Sequence, residues 1–314
     1  MKLRIVFCGT PEFAVPSLKQ FLQERDFEIV GVVTQPDRAR GRGQKIAVSP
    51  VKQAATAAGL AVHQPEKIRS AEAEALLGKL APDAIAIIAY GQIVPARLLG
   101  IARFGWINLH ASLLPKYRGA APIAWAIANG EKRTGVTTMR IDAGMDTGDI
   151  LLQKDTEIGA EEAAPELSLR LASLGAPLMV ETLRGLADGR IAPRAQNHAE
   201  ATMAPMLKKE DGRIAWSRTA EEISNRMRGF APWPGAYTDF RGQVCHLWGK
   251  PAARREDQAR VGTLRLSGDE LLVKCGGGTL LKVERVKLEG RKEVAAAEFA
   301  RGARLGGDER FGSE

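Results

Sequence analysis

Residues 3–12, which spell Leu-Arg-Ile-Val-Phe-Cys-Gly-Thr-Pro-Glu, join a short apolar run to a turn and decide the fold of the chain. The apolar residues of 13–22 then recur at helical spacing, so the region predicts a strand, a turn and a helix. Two more apolar runs, 29–34 and 84–89, predict buried strands. Near-continuous apolar strands that alternate with helices are typical of a parallel sheet covered on both faces. We therefore predict an α/β fold with a doubly wound, mostly parallel sheet.

The pattern changes after a long helix predicted at 165–188, where leucines recur at every third or fourth position. Further strands of the first part are predicted at 105–110, 134–141 and 149–154. After a short helix at 220–228, short strands separated by glycine and proline are predicted at 243–248, 261–266, 270–275 and 279–286. Closely spaced short strands indicate a small barrel or sandwich. We predict a first domain at 1–189, a linker at 190–206 and a smaller second domain at 207–314.

The composition is that of a globular protein of 314 residues, and its net charge of +8 permits a polyanionic partner without requiring one. The longest apolar run, 84–90, is too short for a membrane span, and Arg4 interrupts the apolar stretch that a secretory signal would need. The three cysteines are too few and too scattered for a disulfide framework or a zinc site. We expect a reduced, cytoplasmic monomer without membrane contact. The tail from Arg301 is charged and rich in glycine, and the sequence does not determine whether it is ordered.

Two polar residues, Asn108 and His110, end the strand predicted at 105–110. Because side chains alternate along a strand, both lie on one face, at the carboxyl end where open α/β sheets bind their ligands. An amide and an imidazole can both donate to a developing oxyanion, and the imidazole can also transfer a proton. Taken alone, the same residues also fit satisfied polar groups that cap a strand.

Residues 141–150, Ile-Asp-Ala-Gly-Met-Asp-Thr-Gly-Asp-Ile, predict a tight loop between two strands. A carboxylate on such a loop is well placed to act on a group held by the sheet. Three carboxylates compete for that role, those of Asp142, Asp146 and Asp149, and their spacing does not choose between them. Ordinary turn chemistry accounts for the same residues.

Three motifs together resemble the 10-formyltetrahydrofolate-dependent formyltransferases: Asn-Leu-His-Ala-Ser-Leu-Leu-Pro at 108–115, Tyr-Arg-Gly-Ala-Ala-Pro at 117–122 and Gly-Met-Asp-Thr-Gly at 144–148. The resemblance runs from Phe7 to about Cys275 and is strongest to the members that formylate methionyl-tRNA. It implies 10-formyltetrahydrofolate as the formyl donor, initiator methionyl-tRNA as the acceptor, and no metal. It also implies a Rossmann-like catalytic domain followed by an OB-like β-barrel that contacts tRNA.

By this resemblance, the catalytic residues are Asn108, His110 and Asp146. The expected folate contacts are Ser112, Leu113, Leu114 and Pro115, together with Tyr90, Gly91, Gln92 and Ile93. Attack of an amine on the amide-like formyl group builds negative charge on its oxygen, which Asn108 and His110 would stabilise. Asp146 would orient His110 and assist proton transfer.

A basic loop at 34–45 carries Arg38, Arg40, Arg42 and Lys45. Its composition fits either a solvated loop or a surface that contacts nucleic-acid phosphates, and it lacks the spacing of a P-loop. The loop resembles the family's insertion loop that meets the acceptor end of tRNA, and this resemblance singles out Arg42.

Other functions fit the sequence less well. A formyltransferase that acts on a nucleotide-linked amino sugar would share Asn108, His110 and the folate site, but the basic loop and residues 145–148 are more similar to the tRNA enzymes. A dinucleotide dehydrogenase is disfavoured because residues 9–12 lack the Gly-x-Gly-x-x-Gly pattern. An RNA-binding module without activity would tolerate the loss of His110.

Overall fold

The structure is a computed structural model that describes residues 2–40, 45–255, 259–306 and 309–312; the side chains of residues 39, 40, 45, 46, 254 and 255 lie outside this description. The helices are α1 (Val15–Gln23), α2 (Pro50–Ala57), α3 (Ala71–Leu80), α4 (Pro122–Ala128), α5 (Ala164–Ala187), α6 (Ala220–Gly229) and α7 (Ala296–Ala303). The strands are β1 (Leu3–Gly9), β2 (Phe27–Val33), β3 (Arg38–Arg40), β4 (Lys45–Ala47), β5 (Val62–His63), β6 (Ala84–Ile88), β7 (Trp106–His110), β8 (Arg133–Arg140), β9 (Ile150–Glu157), β10 (Tyr237–Phe240), β11 (Gln243–Arg255), β12 (Leu264–Ser267), β13 (Glu270–Lys274), β14 (Thr279–Leu288) and β15 (Val294–Ala295).

The first sheet has the strand order β5-β2-β1-β6-β7-β8-β9. Its first five strands are parallel, whereas β8 lies antiparallel to β7 and to β9. The chain builds outward from β1 through β2 to β5 and then returns to β6, so the strand order reverses between β1 and β6. Open α/β sheets bind ligands at the carboxyl ends of the strands that flank such a reversal. The predicted doubly wound, mostly parallel sheet is therefore confirmed.

Both faces of this sheet are covered. Alternate residues of β1 point to opposite faces, and each set packs against other elements. Phe7 packs edge-on against Phe21 of α1, with the ring centres 5.8 Å apart. On the other face, Val6 joins a buried cluster that includes Leu77 of α3 and Trp106 of β7. Burial on both faces explains why the strands are almost entirely apolar rather than alternating.

A second sheet is antiparallel, in the order β10-β11-β14-β13-β12, with β15 beside β14. Ile223 of α6 and Phe299 of α7 belong to the hydrophobic core of this sheet. The expected second, smaller β-sheet domain is thus confirmed.

β11 runs to Arg255, beyond its predicted end at Trp248. Gly249 permits this continuation, because a Cβ there would lie only 2.5 Å from the carbonyl oxygen of Lys282 on β14.

Phe311 belongs to this second core. Phe311 is 1% exposed, and its ring stacks on that of Trp216 with the centres 5.8 Å apart. It also packs against Phe240 and Phe299. The sequence after Arg301 is charged and rich in glycine, and this composition did not indicate that Phe311 would be buried. A single aromatic side chain packs into the core without changing the composition of the segment.

The chain groups into two compact units: Met1–Pro122, Arg133–Glu157 and Leu167–Pro205 form one, and Ile123–Lys132, Ile158–Glu166 and Met206–Glu314 form the other. Of the linker expected at 190–206, residues 190–205 are grouped with the first unit and Met206 with the second. The domain division at 189 and 206 stays a prediction.

Among the described residues, no helix has the length and apolar character that crossing a membrane requires. In the same described part of the chain, no three His, Cys, Asp or Glu side chains are gathered as a metal site would need.

Candidate active site

The residues that follow β1, β2 and β6 are joined by hydrogen bonds at the carboxyl edge of the first sheet. The hydroxyl of Thr10 donates to the carbonyl oxygen of Tyr90 at 3.0 Å, and Nε2 of Gln35 donates to the same oxygen at 3.1 Å. Gln92 continues the network through Nε2, which lies 3.2 Å from Oε1 of Gln35. These contacts brace the edge next to the end of β7, where His110 lies.

His110 is 6% exposed, and its ring is oriented by the chain that follows it. Nε2 lies 2.9 Å from the carbonyl oxygen of Tyr117. A carbonyl oxygen only accepts hydrogen bonds, so Nε2 carries a proton in this contact. Nδ1 is then the ring nitrogen that can exchange a proton with a substrate.

The structure distinguishes between the three carboxylates of the 141–150 loop. Oδ2 of Asp146 lies 3.7 Å from Nδ1 of His110 and accepts a hydrogen bond from the backbone N–H of Gly119 at 2.8 Å. Asp142 instead accepts hydrogen bonds from the hydroxyl of Thr147 and the backbone N–H of Gly144, within its own loop. Of these carboxylates, the one at Asp146 is therefore brought against the imidazole.

Asn108 is half-buried on β7, two residues before His110 and so on the same face of the strand. Its backbone is aligned with Ile87 of β6 and Met139 of β8. The expected arrangement of Asn108 and His110 on one strand face is present, while their catalytic roles stay predictions.

In the first expected folate segment, 112–115, two side chains are buried and two are half-buried. Ser112 is fully buried, and its hydroxyl donates to the carbonyl oxygen of Lys116 at 2.6 Å. Leu114 packs with Met139 and Ile150. Leu113 and Pro115 are only half-buried. The buried pair holds the backbone of the segment, and the other two side chains remain accessible for apolar contact.

The second expected folate segment, 90–93, is divided in the same way. Tyr90 is 2% exposed within the sheet core, and burial raises the pKa of its phenol; among the described residues its hydroxyl has no hydrogen-bond partner. Oε1 of Gln92 accepts from the backbone N–H of Ile68 at 2.6 Å. Gly91 has a φ of +87°, and Ile93 is 87% exposed. Ile93 is thus the accessible apolar side chain of this segment.

The expected tRNA loop begins and ends in a two-stranded antiparallel ribbon of β3 and β4. Arg38 is exposed, Arg42 lies outside the described residues, and the side chains of Arg40 and Lys45 are not described. Asp37, in the first part of the loop, accepts from Nζ of Lys52 at 2.5 Å. This contact lowers the pKa of the Asp37 carboxyl. The ion pair joins the start of the basic loop to α2.

Three residues around Asp146 were given no individual role by the sequence analysis. Gly119 and Arg118 lie in a motif that supported only the resemblance. Gln196 lies in the segment expected as a linker, 50 residues from Asp146, yet its Nε2 donates to the carbonyl oxygen of Asp146 at 2.9 Å. Local sequence patterns carry no signal for a contact of that separation.

Comparison with known proteins identifies the family of the chain. The family described as formyl transferase matches residues 1–183, and the family described as formyl transferase, C-terminal domain, matches residues 206–304. The methionyl-tRNA formyltransferase of Solibacter usitatus is 54% identical to this chain over 99% of both proteins. The chain belongs to the methionyl-tRNA formyltransferase family. It is therefore an enzyme of formyl transfer, as the resemblance implied.

Solved structures of formyltransferases share the fold. The methionyl-tRNA formyltransferase from Clostridium thermocellum superposes with a TM-score of 0.56 at 17% identity, over 91% of this chain and 98% of its own. The N-formyltransferase from Helicobacter canadensis, solved with folinic acid and dTDP-3-aminofucose, superposes with a TM-score of 0.65 at 20% identity, over 90% and 99%. At these identities, the two comparisons show only that the folds are alike.

Proposed function

We propose that this formyltransferase transfers the formyl group of 10-formyltetrahydrofolate to the α-amino group of methionine carried by initiator tRNA. The observation that carries the proposal is the approach of Asp146 to His110 at 3.7 Å, at the sheet edge where a ligand is expected. The 54% identity to a methionyl-tRNA formyltransferase over almost the full length supports the choice of acceptor. The half-buried Leu113 and Pro115 and the exposed Ile93 are suited to contact the flat pterin ring of the donor.

The chemistry assigns a role to each polar side chain. Attack of the amine forms a C–N bond and leaves negative charge on the formyl oxygen, toward which the Asn108 amide donates. Nδ1 of His110 accepts a proton from the attacking amine. The resulting imidazolium is stabilised by the carboxylate of Asp146 and returns the proton to the folate nitrogen as that C–N bond breaks. Proton transfer by a positioned side chain typically contributes about 10²–10⁴-fold.

The tRNA would be held by charge. Arg38, Arg40, Arg42 and Lys45 form the proposed contact for the acceptor end, and residues 207–314 the proposed OB-like tRNA-binding domain. The net charge of +8 is compatible with a polyanionic partner. All three cysteines are buried and free of disulfide bonds, which supports action in a reducing compartment such as the cytoplasm.

The acceptor is tested by incubating the purified chain with labelled 10-formyltetrahydrofolate and either initiator methionyl-tRNA or a dTDP-linked amino sugar. We expect labelled formylmethionine after hydrolysis of the tRNA ester, and no labelled sugar. Uncharged initiator tRNA is the matched control, because it offers the same phosphates without the amine. Formylation of the sugar with no formylation of methionine would overturn the proposal.

A further inference from the structure

We propose that Gln196, oriented by Arg118, is a positioning residue that sets the carboxylate of Asp146 against His110. The inference rests on the catalytic role proposed above for Asp146. It assigns a function to Gln196, which lies in the segment expected as a linker and which no sequence pattern connected to the active site.

The backbone of Asp146 needs to be held from outside its own loop. Its φ is +52°, in the left-handed region that residues other than glycine adopt uncommonly. Nε2 of Gln196 donates to the carbonyl oxygen of Asp146 at 2.9 Å and to that of Gly148 at 2.7 Å. Both hydrogens of one amide group therefore hold the backbone at and just after the catalytic carboxylate. Gln196 is 6% exposed, so water competes little for these contacts.

Arg118 determines which end of the Gln196 amide faces the loop. Nε and Nη2 of Arg118 donate to Oε1 of Gln196 at 3.1 and 2.6 Å. A guanidinium has donors only, so the amide oxygen must face Arg118 and the amide nitrogen must face Asp146. Nη1 of Arg118 lies 3.2 Å from Nδ1 of His198, which by the same argument is the acceptor. Arg118 is itself only 6% exposed, so it is unsuited to contact a substrate directly.

The backbone beside Arg118 holds the carboxylate from the other side. Gly119 supplies the N–H that binds Oδ2 of Asp146. The backbone of Arg118 donates to the carbonyl oxygen of Thr202 at 2.9 Å and accepts from the N–H of Ala204 at 2.7 Å. Gln196, which Arg118 orients, thus holds the backbone of Asp146, and Gly119, the neighbour of Arg118, holds its side chain. Loss of either contact lets the carboxylate move, and a displacement of about 1 Å can cost about 10² in rate.

Two variants of Gln196 test the proposal. Gln196→Leu removes every polar contact of the side chain. Gln196→Glu keeps an oxygen for Arg118 and so preserves the packing, but presents a second oxygen instead of a donor to the two carbonyl groups. We expect kcat to fall by about 10- to 100-fold in both variants, with the KM for folate and for tRNA little changed. Asn197→Ala is the matched control, because the neighbouring Asn197 side chain binds only Ala199 and Glu200 among the described residues; its kcat should equal that of the parent.

A double-mutant cycle separates positioning from general support of the structure. If Gln196 acts through Asp146, then Gln196→Glu should cause no further loss of kcat in an Asp146→Asn background. Losses that multiply would show that Gln196 acts independently of Asp146 and would overturn the inference, as would unchanged kcat in both Gln196 variants. Full turnover of Asp146→Asn alone would instead refute the catalytic role of Asp146 in the proposed function, and the inference with it.

Discussion

The backbone N–H of Gly119 donates to Oδ2 of Asp146 at 2.8 Å, and this same oxygen faces Nδ1 of His110. A backbone donor aimed at a carboxylate complements its charge and fixes its position. Gly119 has a φ of +117°, and a Cβ built there would lie 2.7 Å from the carbonyl oxygen of Ala204. Only glycine brings its N–H to this place without a clash.

Gly119→Ala should therefore lower both stability and activity. The unfavourable φ and the contact with Ala204 predict a loss of about 1–3 kcal/mol in the free energy of unfolding, measured by denaturant titration, together with a fall in kcat. Gly78→Ala is the control, because Gly78 lies in α3 with open space around its Cβ position. That change should raise stability by up to about 1 kcal/mol and leave kcat unchanged. Equal behaviour of the two variants would contradict the role of Gly119.

Asp146→Asn should reduce kcat by about 10² or more, because the amide keeps the shape of the side chain but does not stabilise a protonated imidazole. Steady-state kinetics with saturating donor and tRNA would measure the effect. Asp149→Asn makes the same change of charge three residues along the loop, and we expect its kcat to stay within about threefold of the parent value. A larger loss in Asp149→Asn than in Asp146→Asn would show that the wrong carboxylate has been assigned.

Arg42→Ala should weaken the use of tRNA more than it slows the chemistry. Removing one phosphate contact is expected to raise the KM for tRNA and to reduce the slope of log KM against log salt by about 1. Lys79→Ala is the control. Lys79 lies in the last turn of α3, which leads into β6 at the opposite, amino-terminal edge of the parallel strands. If both variants show the parent slope, the loop does not contact tRNA.

Phe311→Ala should destabilise the protein although only three residues follow position 311 in the sequence. The ring is 1% exposed and packs against three aromatic rings, and truncation of such a side chain typically costs about 3–5 kcal/mol. Leu266→Ala, at a side chain that is 55% exposed, should change the free energy of unfolding by less than about 0.5 kcal/mol. Chemical denaturation of the two variants would measure the difference, and equal stability would mean that the tail does not contribute to the core.

The predictions from the sequence are most accurate where a property depends on neighbouring residues. The buried strands β1, β2 and β6 follow from local apolar runs, and their alternation with helices is enough to indicate a parallel sheet. The placement of Asn108 and His110 on one strand face follows from the two-residue period of a strand. β11 was predicted too short, because glycine and proline normally interrupt a strand and the close approach to β14 at Gly249 was not visible locally.

The sequence by itself therefore determined the buried strands β1, β2 and β6, the long helix α5, the polar pair at the end of β7 and, through its motifs, the family. The family motif implied Asp146, but only the tertiary structure shows that its carboxylate approaches His110. Only the tertiary structure, likewise, shows that Gln196 braces Asp146 and that Phe311 is buried. The reason is physical. Hydrophobic period and turn chemistry act over a few residues. His110 and Asp146 are 36 positions apart, and Asp146 and Gln196 are 50 apart, so their contacts depend on how completed strands and loops pack. They also depend on the left-handed backbone conformation of Asp146, which the rest of the unit must hold in place.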